Sequence, residues 1–240
     1  MQLNYKIVIT GGTGRFGSIL KKMYKSNKLI FPNKKALNIL SVNSIEKYLQ
    51  SIKPKILIHL AGLSRPMKIH DNDICRSIDL NIIGTANIVK ICSKLKIKLI
   101  YFSTNYVYPG TDGNYRESDP LLPINNYAWS KLGGESAVHL YKNSLILRVC
   151  MTEKPFIHKN AFLDFKTNFI FQEEIAKILF KVLPFKGIIN LGGKAQSVYN
   201  FAKDFNKNVN PISRSSVKSL RPYPDISMNI SKLKKSLKKN

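Results

Sequence analysis

A tyrosine and a lysine stand four residues apart in the run Tyr127-Ala-Trp-Ser-Lys131. At this spacing on a helix the two side chains lie on one face, one turn apart. A free phenol, with a pKa of about 10, is a poor acid–base group at neutral pH. A neighbouring ammonium lowers that pKa because it stabilises the phenolate. The pair therefore predicts acid–base catalysis by Tyr127, with Lys131 as the group that tunes it.

A glycine-rich run follows the first apolar segment of the chain. Three glycines spaced by two residues each, between a strand and a helix, allow a sharp turn and close backbone approach to a pyrophosphate. The N–H groups at the start of the helix then face the phosphates. The run predicts dinucleotide binding, and its candidate contact residues are Gly11, Thr13, Gly14, Arg15, Phe16 and Gly17.

The segment after the predicted second strand bears on the choice of cofactor. An acidic residue there would bind the ribose hydroxyls of NAD. The run Leu29-Ile-Phe-Pro-Asn-Lys34-Lys35 contains no carboxylate. Arg15, Lys34 and Lys35 are basic groups that could face a 2′-phosphate, although a lysine-rich chain places lysines in any loop. We therefore expect NADP(H), with NAD(H) as the alternative.

Strands alternate with helices through the first 150 residues, which predicts an α/β fold with a doubly wound parallel sheet of the Rossmann type. We expect residues 1–150 to bind the cofactor and residues 151–240 to form a small substrate-binding lobe partly interwoven with them. The predicted strands are Tyr5–Thr10, Lys28–Phe31, Ile56–Ala61, Leu99–Ser103, Leu145–Val149 and Gly187–Leu191. The predicted helices are Phe16–Tyr24, Val42–Ser51, Asp79–Leu95, Asn126–Tyr141, Gln172–Leu183, Val198–Asn206 and Ile230–Lys239.

Composition excludes several classes of protein. The 240 residues are 44% hydrophobic, enough for a core, and no apolar run approaches the roughly 20 residues of a membrane span. Three cysteines and four histidines without ligand spacing predict neither disulfides nor a metal site. The net charge of +25 is typical of proteins that bind nucleic acid or anionic membranes. However, only seven of the 39 basic residues are arginine, the residue best suited to binding phosphates. A/T-rich codons suffice to explain so many lysines, so we expect no membrane partner and no specific nucleic-acid partner. The widely separated, odd number of cysteines and the absence of a targeting pattern before Ile7 predict a cytoplasmic protein.

The order of the motifs resembles an extended short-chain dehydrogenase/reductase, and most closely the 4-keto-6-deoxy sugar-nucleotide reductases of the dTDP-4-dehydrorhamnose reductase type. The similar runs are TGGTGRFG, LIHLAG, FSTNYVY and YAWSKLGGE, within residues 5 to about 150. The resemblance implies NAD(P)H-dependent reduction of a nucleotide-diphosphate sugar. A second copy of the chain is a further candidate partner.

The resemblance also implies roles for individual residues. Tyr127 would be the general acid, Lys131 its tuner and a ligand of the nicotinamide ribose, and Thr104 the group that binds the substrate carbonyl. The further cofactor contacts would be Asn38 and Ile39 at the adenine, together with Leu60, Ala61, Gly62 and Ser103, and the further substrate contacts Asn105, Tyr106 and Arg221. Asn81 resembles a helix asparagine that supports the backbone of the active site, whereas Arg148 is expected to be structural.

Two alternatives to the reductase remain open on the sequence. One is a sugar-nucleotide epimerase on the same scaffold, and the other is a regulatory subunit that binds the cofactor without reducing a substrate. Dehydration is predicted to be absent, because Asn105 and Tyr106 follow Thr104 where a dehydratase needs two carboxyl groups.

Overall fold

The computed structural model describes residues 3–216 and 223–238. Its helices are α1 (Arg15–Met23), α2 (Val42–Ile52), α3 (Ile69–Asn72), α4 (Ile74–Ile78), α5 (Gly84–Lys94), α6 (Asn126–His139), α7 (Gln172–Val182), α8 (Val198–Lys203) and α9 (Ser231–Lys238). Its strands are β1 (Ile7–Thr10), β2 (Leu29–Ile30), β3 (Ile56–His59), β4 (Lys98–Thr104), β5 (Ser144–Val149), β6 (Met151–Thr152), β7 (Asn160–Phe162), β8 (Lys166–Thr167), β9 (Ile170–Phe171), β10 (Gly187–Leu191), β11 (Gln196–Ser197) and β12 (Asn210–Ile212).

The chain divides into two compact units, each made of three segments. The first unit comprises Met1–Ser103, Asn126–Leu147 and Leu183–Ile188. The second unit comprises Thr104–Asn125, Arg148–Val182 and Ile189–Asn240. The boundary predicted at residue 150 between a cofactor domain and a substrate lobe stays a prediction about function.

The first unit is built on a parallel sheet of six strands in the order β10-β5-β4-β3-β1-β2. The α/β fold class expected from the sequence is confirmed. The chain leaves β1 for β2 on one side and returns to β3 on the other, so the loop after β1 lies at the point where strand order reverses. Ligands bind at this point in open α/β sheets. The glycine-rich run occupies that loop.

The core of the first unit follows directly from the sequence pattern. All four residues of β1 and all four of β3 are buried, as expected for strands covered on both faces. Helices α2 and α5 pack one apolar face on the sheet, with Ile45, Leu49, Ile88 and Cys92 in the central cluster. The sheet register places Thr10 beside His59 and His59 beside Tyr101. These three residues therefore form one row across three neighbouring strands.

One helix differs from the sequence prediction in a way that matters for the site. The segment predicted as a single helix over Asp79–Leu95 is a π-helix at Asp79–Ile83 followed by α5. A π-turn accommodates one extra residue per turn, and such turns occur frequently at functional sites. The short helices α3 and α4 were not predicted, because four or five residues are too few to show a periodic pattern.

The second unit contains three separate pairs of short strands, β6–β9, β7–β12 and β8–β11. Its apolar cluster includes Phe156, Phe171, Val198 and Phe201. None of these strands was predicted, since two or three residues cannot display the alternation that identifies a strand. Arg148 is buried here and donates to the hydroxyl of Tyr108 (2.8 Å) and to the backbone oxygen of Glu117 (3.1 Å).

Within the described ranges, no helix has both the length and the hydropathy that crossing a bilayer requires.

Candidate functional site

The glycine-rich loop turns tightly off β1 into α1. Gly11 has a φ of +72°, and a Cβ built on it would lie 2.6 Å from the backbone nitrogen of Ala61. Only glycine fits both the left-handed backbone and this close approach. The N–H of Gly14 donates to the oxygen of Gly11 at 2.9 Å, which closes the turn.

The N-terminus of α1 is suited to an anion. Gly14 is its N-cap residue and has no side chain to cap the helix, and no acidic residue lies in the first turn. The first N–H groups of a helix have no intrahelical acceptor, and the helix dipole favours negative charge there. Thr13, Gly14 and Arg15 are exposed, whereas Phe16 is buried and its ring centroid lies 5.2 Å from that of Phe102. This arrangement fits the pyrophosphate of a dinucleotide.

The loop after β3 lies beside the glycine-rich loop. The N–H of Ala61 donates to the hydroxyl of Thr10 at 3.2 Å, and the guanidinium of Arg15 donates to the hydroxyl of Ser64 at 3.1 Å. Leu60 and Ala61 are half-buried and Gly62 is exposed. The structure therefore brings residues 60–62 together with the candidate phosphate loop, as a shared cofactor surface requires.

Asn81 connects this loop to the helix that carries the candidate acid. Its amide nitrogen donates to the oxygen of Leu63 (2.9 Å) and to the hydroxyl of Ser130 (2.8 Å), while its amide oxygen accepts from the N–H of Leu63 (2.7 Å). Ser130 in turn donates to the backbone oxygen of Tyr127 at 2.7 Å. The π-helix thus presents one buried amide that fixes both the loop after β3 and the first turn of α6.

Tyr127 and Lys131 lie on one face of α6, as their spacing predicts. Tyr127 is half-buried, and its ring centroid lies 5.1 Å from that of His70 in α3. Asp71, the next residue of α3, accepts a hydrogen bond from the side chain of Asn126 at 2.7 Å. Both contacts hold α3 against the start of α6, so the ring of Tyr127 is restrained at one edge.

Lys131 is buried, with an exposed fraction of 9%. Burial lowers its pKa to about 7, and the negative charge of Glu135 opposes that decrease. Its Nζ lies 4.1 Å from the centroid of the Tyr101 ring. A lysine with a pKa this close to neutrality is a candidate functional residue, because burial and a specific charge partner act on it together.

Hydrogen bonds connect Thr10, His59 and Thr85 near Lys131. His59 pairs its Nδ1 with the hydroxyl of Thr10 (2.8 Å) and its Nε2 with the hydroxyl of Thr85 (3.2 Å). Burial, reinforced by the charge of Lys131, lowers the pKa of His59 to about 3. The imidazole is therefore neutral at pH 7 and adds no positive charge next to the lysine.

Ser103 ends the part of β4 that belongs to the first unit. Its hydroxyl is buried and makes no hydrogen bond with the described residues. A buried hydroxyl without a partner is unusual in proteins and marks a position at which a ligand could complete the pairing. This position agrees with the expectation that Ser103 contacts the cofactor.

Two of the residues expected at the adenine are engaged within the protein. Ile39 packs in the core of the first unit, and its backbone oxygen accepts from Asn87. The side-chain oxygen of Asn38 accepts from the N–H of Leu40 at 3.1 Å. Lys34 is exposed on the same segment. Neither Asn38 nor Ile39 is exposed, whereas Lys34 and Lys35 are.

The candidate substrate residues begin the second unit. Thr104 is buried, and its hydroxyl accepts from the N–H of Tyr106 at 3.3 Å, which leaves its own proton available for donation. Asn105 is buried and donates to Thr167 (3.3 Å) and to the oxygen of Ile226 (3.4 Å). Tyr106 is half-buried. The expected substrate contact Arg221 lies outside the described residues.

The profile of the RmlD substrate binding domain matches residues 5–163, well over half of the chain. The chain belongs to the RmlD substrate binding domain family. The family resemblance expected from the motifs is thereby confirmed.

Sequence relatives of this RmlD family member carry two different names. Methionine adenosyltransferase 2 subunit beta of Xenopus tropicalis is 32% identical over 154 residues, which are 60% of this chain and 46% of that protein. The dTDP-4-dehydrorhamnose reductase of Mycolicibacterium smegmatis is 28% identical over 137 residues, or 55% of this chain and 41% of that protein. The matched region thus spans less than half the length of either relative.

A solved structure is similar to the RmlD family chain over nearly its whole length. The dTDP-4-dehydrorhamnose reductase of Bacillus anthracis, crystallised in complex with NADP, has a TM-score of 0.84 and 21% sequence identity. The similarity covers 99% of this chain and 98% of that one. At this identity the similarity establishes the fold.

Sequence reasoning assigned no chemistry to His59 or His70 and did not consider Tyr101. The structure places His59 in the hydrogen-bond chain below Lys131, His70 against Tyr127 and Tyr101 under the lysine ammonium. Their positions depend on strand register and helix packing. The one local signal was the position of His59 inside the predicted strand Ile56–Ala61, whose other residues are all apolar.

His59 also gives the RmlD family chain a predictable response to acid. The unfolded chain has a histidine pKa near the ordinary 6.5, whereas the folded pKa is about 3. Between these pH values the unfolded chain holds a proton that the folded chain does not, so stability falls as the pH drops through this window.

Urea unfolding should give a lower free energy of unfolding at pH 4 than at pH 7, and His59→Gln should make this decrease smaller. His139→Gln, at an exposed position of α6, should keep the wild-type pH dependence. An equal loss in His59→Gln and wild type would refute this role.

Proposed function

We propose that the chain is an NADPH-dependent reductase that converts the keto group of a 4-keto-6-deoxy sugar nucleotide to an alcohol, with Tyr127 as the general acid. The observation that carries this proposal is the placement of Lys131. It is buried one helical turn after Tyr127, with a pKa near neutrality, on a helix that Asn81 fixes to the loop beside the candidate phosphate site.

The cofactor would be bound mainly by backbone. The loop from Gly11 to Gly17 and the N-terminus of α1 would bind the pyrophosphate, with residues 60–62 alongside. Ser103 supports this assignment through its buried hydroxyl without a partner among the described residues. When bound, a reduced nicotinamide supplies the hydride that a carbonyl reduction needs.

Tyr127 would donate its phenolic proton to the carbonyl oxygen as negative charge develops there. The ammonium of Lys131 then stabilises the phenolate that Tyr127 becomes, and its second role is to bind the ribose. Thr104, the residue after Ser103 in the chain, would donate its hydroxyl proton in a hydrogen bond to the same carbonyl oxygen. These two donors polarise the carbonyl, which is the electrostatic part of the catalysis.

NADPH is expected to bind more tightly than NADH. No carboxylate follows β2 as far as Ser41, and Lys34 and Lys35 in that segment and Arg15 on α1 are exposed cations. A hydrogen bond to a charged group contributes about 1.5–3 kcal/mol. If even one of the three cations binds the 2′-phosphate, replacing all three by alanine should weaken NADPH binding about tenfold or more and leave NADH binding nearly unchanged. Dissociation constants measured at physiological ionic strength check this. Alanine at the three exposed lysines Lys47, Lys90 and Lys142 is the charge-matched control.

Either of two outcomes would contradict the NADPH preference. One is tighter binding of NADH by the wild type. The other is an equal loss of NADPH affinity in the triple variant and in the Lys47/Lys90/Lys142 control, which would show that only overall charge matters. Physiological salt is needed because a chain of net charge +25 attracts any polyanion.

A second candidate function is regulation of a partner enzyme. It is favoured by the 32% identity to a protein named as a subunit of methionine adenosyltransferase. In that case the chain would bind the cofactor and modulate its partner without reducing a sugar. Tyr127→Phe would then leave its effect on the partner unchanged.

The experiment that separates the two combines two assays of the purified chain. NADPH consumption is followed with a panel of 4-keto sugar nucleotides, and in parallel the activity of a methionine adenosyltransferase is measured with and without the chain. Consumption of NADPH that Tyr127→Phe abolishes would support the reductase. A change in adenosyltransferase activity without any NADPH consumption would refute it.

A further inference from the structure

Lys131 differs from an ordinary surface lysine in how tightly its side chain is enclosed. Its Nζ lies over the face of the Tyr101 ring, 4.1 Å from the centroid. An ammonium over an aromatic face is attracted by the negative face of the ring, and the attraction is stronger when the pair is desolvated. Tyr101 is fully buried and Lys131 is nearly so. The ring is therefore a binding surface for the ammonium.

Tyr101 also contacts the backbone of the same residue. Its hydroxyl donates to the carbonyl oxygen of Lys131 at 3.0 Å. A single side chain thus contacts both ends of Lys131, the ammonium through its ring and the helix backbone through its hydroxyl. The register of β3 and β4 fixes the position of Tyr101 beside His59.

Glu135 lies one turn beyond Lys131 on α6 and is 3% exposed. At this spacing the two side chains share a helix face. The titratable groups that act on Lys131 or lie beside it are His59 from β3, Tyr101 from β4, and Tyr127 and Glu135 from α6. Among them, Glu135 is the group whose charge raises the pKa of Lys131, whereas burial keeps His59 neutral and raises the pKa of Tyr101 well above its ordinary value.

We propose that Tyr101 and Glu135 are positioning residues that hold the ammonium of Lys131 in place and in its charged form next to Tyr127, an inference that rests on the proposed function. Burial alone works against that charge and lowers the lysine pKa toward neutrality. The ring and the carboxylate oppose that effect. They act through Lys131 and do not touch the substrate.

The test uses the purified full chain with its lysines labelled with ¹³C at Cε, and NMR follows their titration. Lys131→Met identifies the signal of Lys131 by its disappearance. A nearby opposite charge shifts a pKa by roughly one to three units, so the isosteric Glu135→Gln is expected to lower the Lys131 pKa by at least about one. Tyr101→Phe keeps the ring and should leave that pKa unchanged, whereas Tyr101→Leu should lower it.

A ring-current shift in the wild type tests the contact with Tyr101 without depending on the folding of a variant. The Hε protons of Lys131 should lie upfield of the other lysine Hε signals because they face an aromatic ring. An unshifted Hε signal would overturn the role of Tyr101. An unchanged Lys131 pKa in Glu135→Gln would overturn the role of Glu135.

These measurements need neither substrate nor turnover, so they separate the two proposals. If the Lys131 titration shifts as expected but no keto sugar is reduced, the proposed function is wrong and the positioning roles of Tyr101 and Glu135 are supported. If the wild type reduces a keto sugar and the titration stays unchanged in Glu135→Gln and in Tyr101→Leu, the positioning roles are wrong and the proposed function is supported.

Discussion

Tyr127→Phe is expected to lose turnover by about 10²–10⁴-fold, the usual contribution of a general acid. The substitution removes the proton donor and keeps the ring that packs against His70. The fold and the affinity for NADPH should therefore remain close to those of the wild type. The check is steady-state turnover of a 4-keto sugar nucleotide together with a dissociation constant for NADPH.

Tyr48→Phe is the matched control for this prediction. Tyr48 lies on α2 in the same unit and packs at the edge of its apolar core, away from the candidate site residues in the sequence. It should turn over at the wild-type rate. Wild-type turnover in Tyr127→Phe would contradict the proposed mechanism.

Gly11→Ala is expected to reduce the free energy of unfolding by about 2–5 kcal/mol. A left-handed backbone costs an alanine about 1–2 kcal/mol, and overpacking costs typically about 1–3 kcal/mol more. The new Cβ would lie 2.6 Å from the nitrogen and 2.9 Å from the Cα of Ala61, which are backbone atoms that cannot rotate away. Chemical denaturation gives the free energy, and NADPH binding should fall with it.

Gly187→Ala separates the two causes. Gly187 has a φ of +83°, and no atom lies within 4 Å of a Cβ built there. It should therefore lose only the backbone contribution of about 1–2 kcal/mol. Equal losses at Gly11 and Gly187 would show that the close approach to Ala61 is unimportant.

The fold could be predicted from sequence because its main signals are local. The apolar runs around Ile7–Thr10 and Ile56–His59 and the amphipathic pattern of Val42–Ile52 identify buried strands and a surface helix. The predicted bounds differ from these by up to two residues. The π-helix at Asp79–Ile83 was missed because one extra residue in a turn leaves the apolar spacing nearly helical.

The candidate site likewise combines residues that the local sequence reveals with residues that only the fold brings together. The spacing of Tyr127 and Lys131 on one helix is a local property and was recognisable. The partners of Lys131 were not, because Tyr101 meets it through the packing of α6 on β4 and His59 is brought to Tyr101 by strand register. Ile39, expected to contact adenine, is an apolar residue whose pattern equally suits the core position that it occupies.

The proposed activity of this chain is the reduction of a carbonyl carbon of a sugar nucleotide. The most direct measurement incubates the purified chain with NADPH fully deuterated at nicotinamide C4 and a dTDP-linked 4-keto-6-deoxyhexose, then locates deuterium in the sugar by NMR and mass spectrometry. We expect one NADPH consumed per sugar and one deuterium on C4 of the new alcohol. Recovery of the keto sugar unreduced and without deuterium, although NADPH binds, would contradict the proposed reduction.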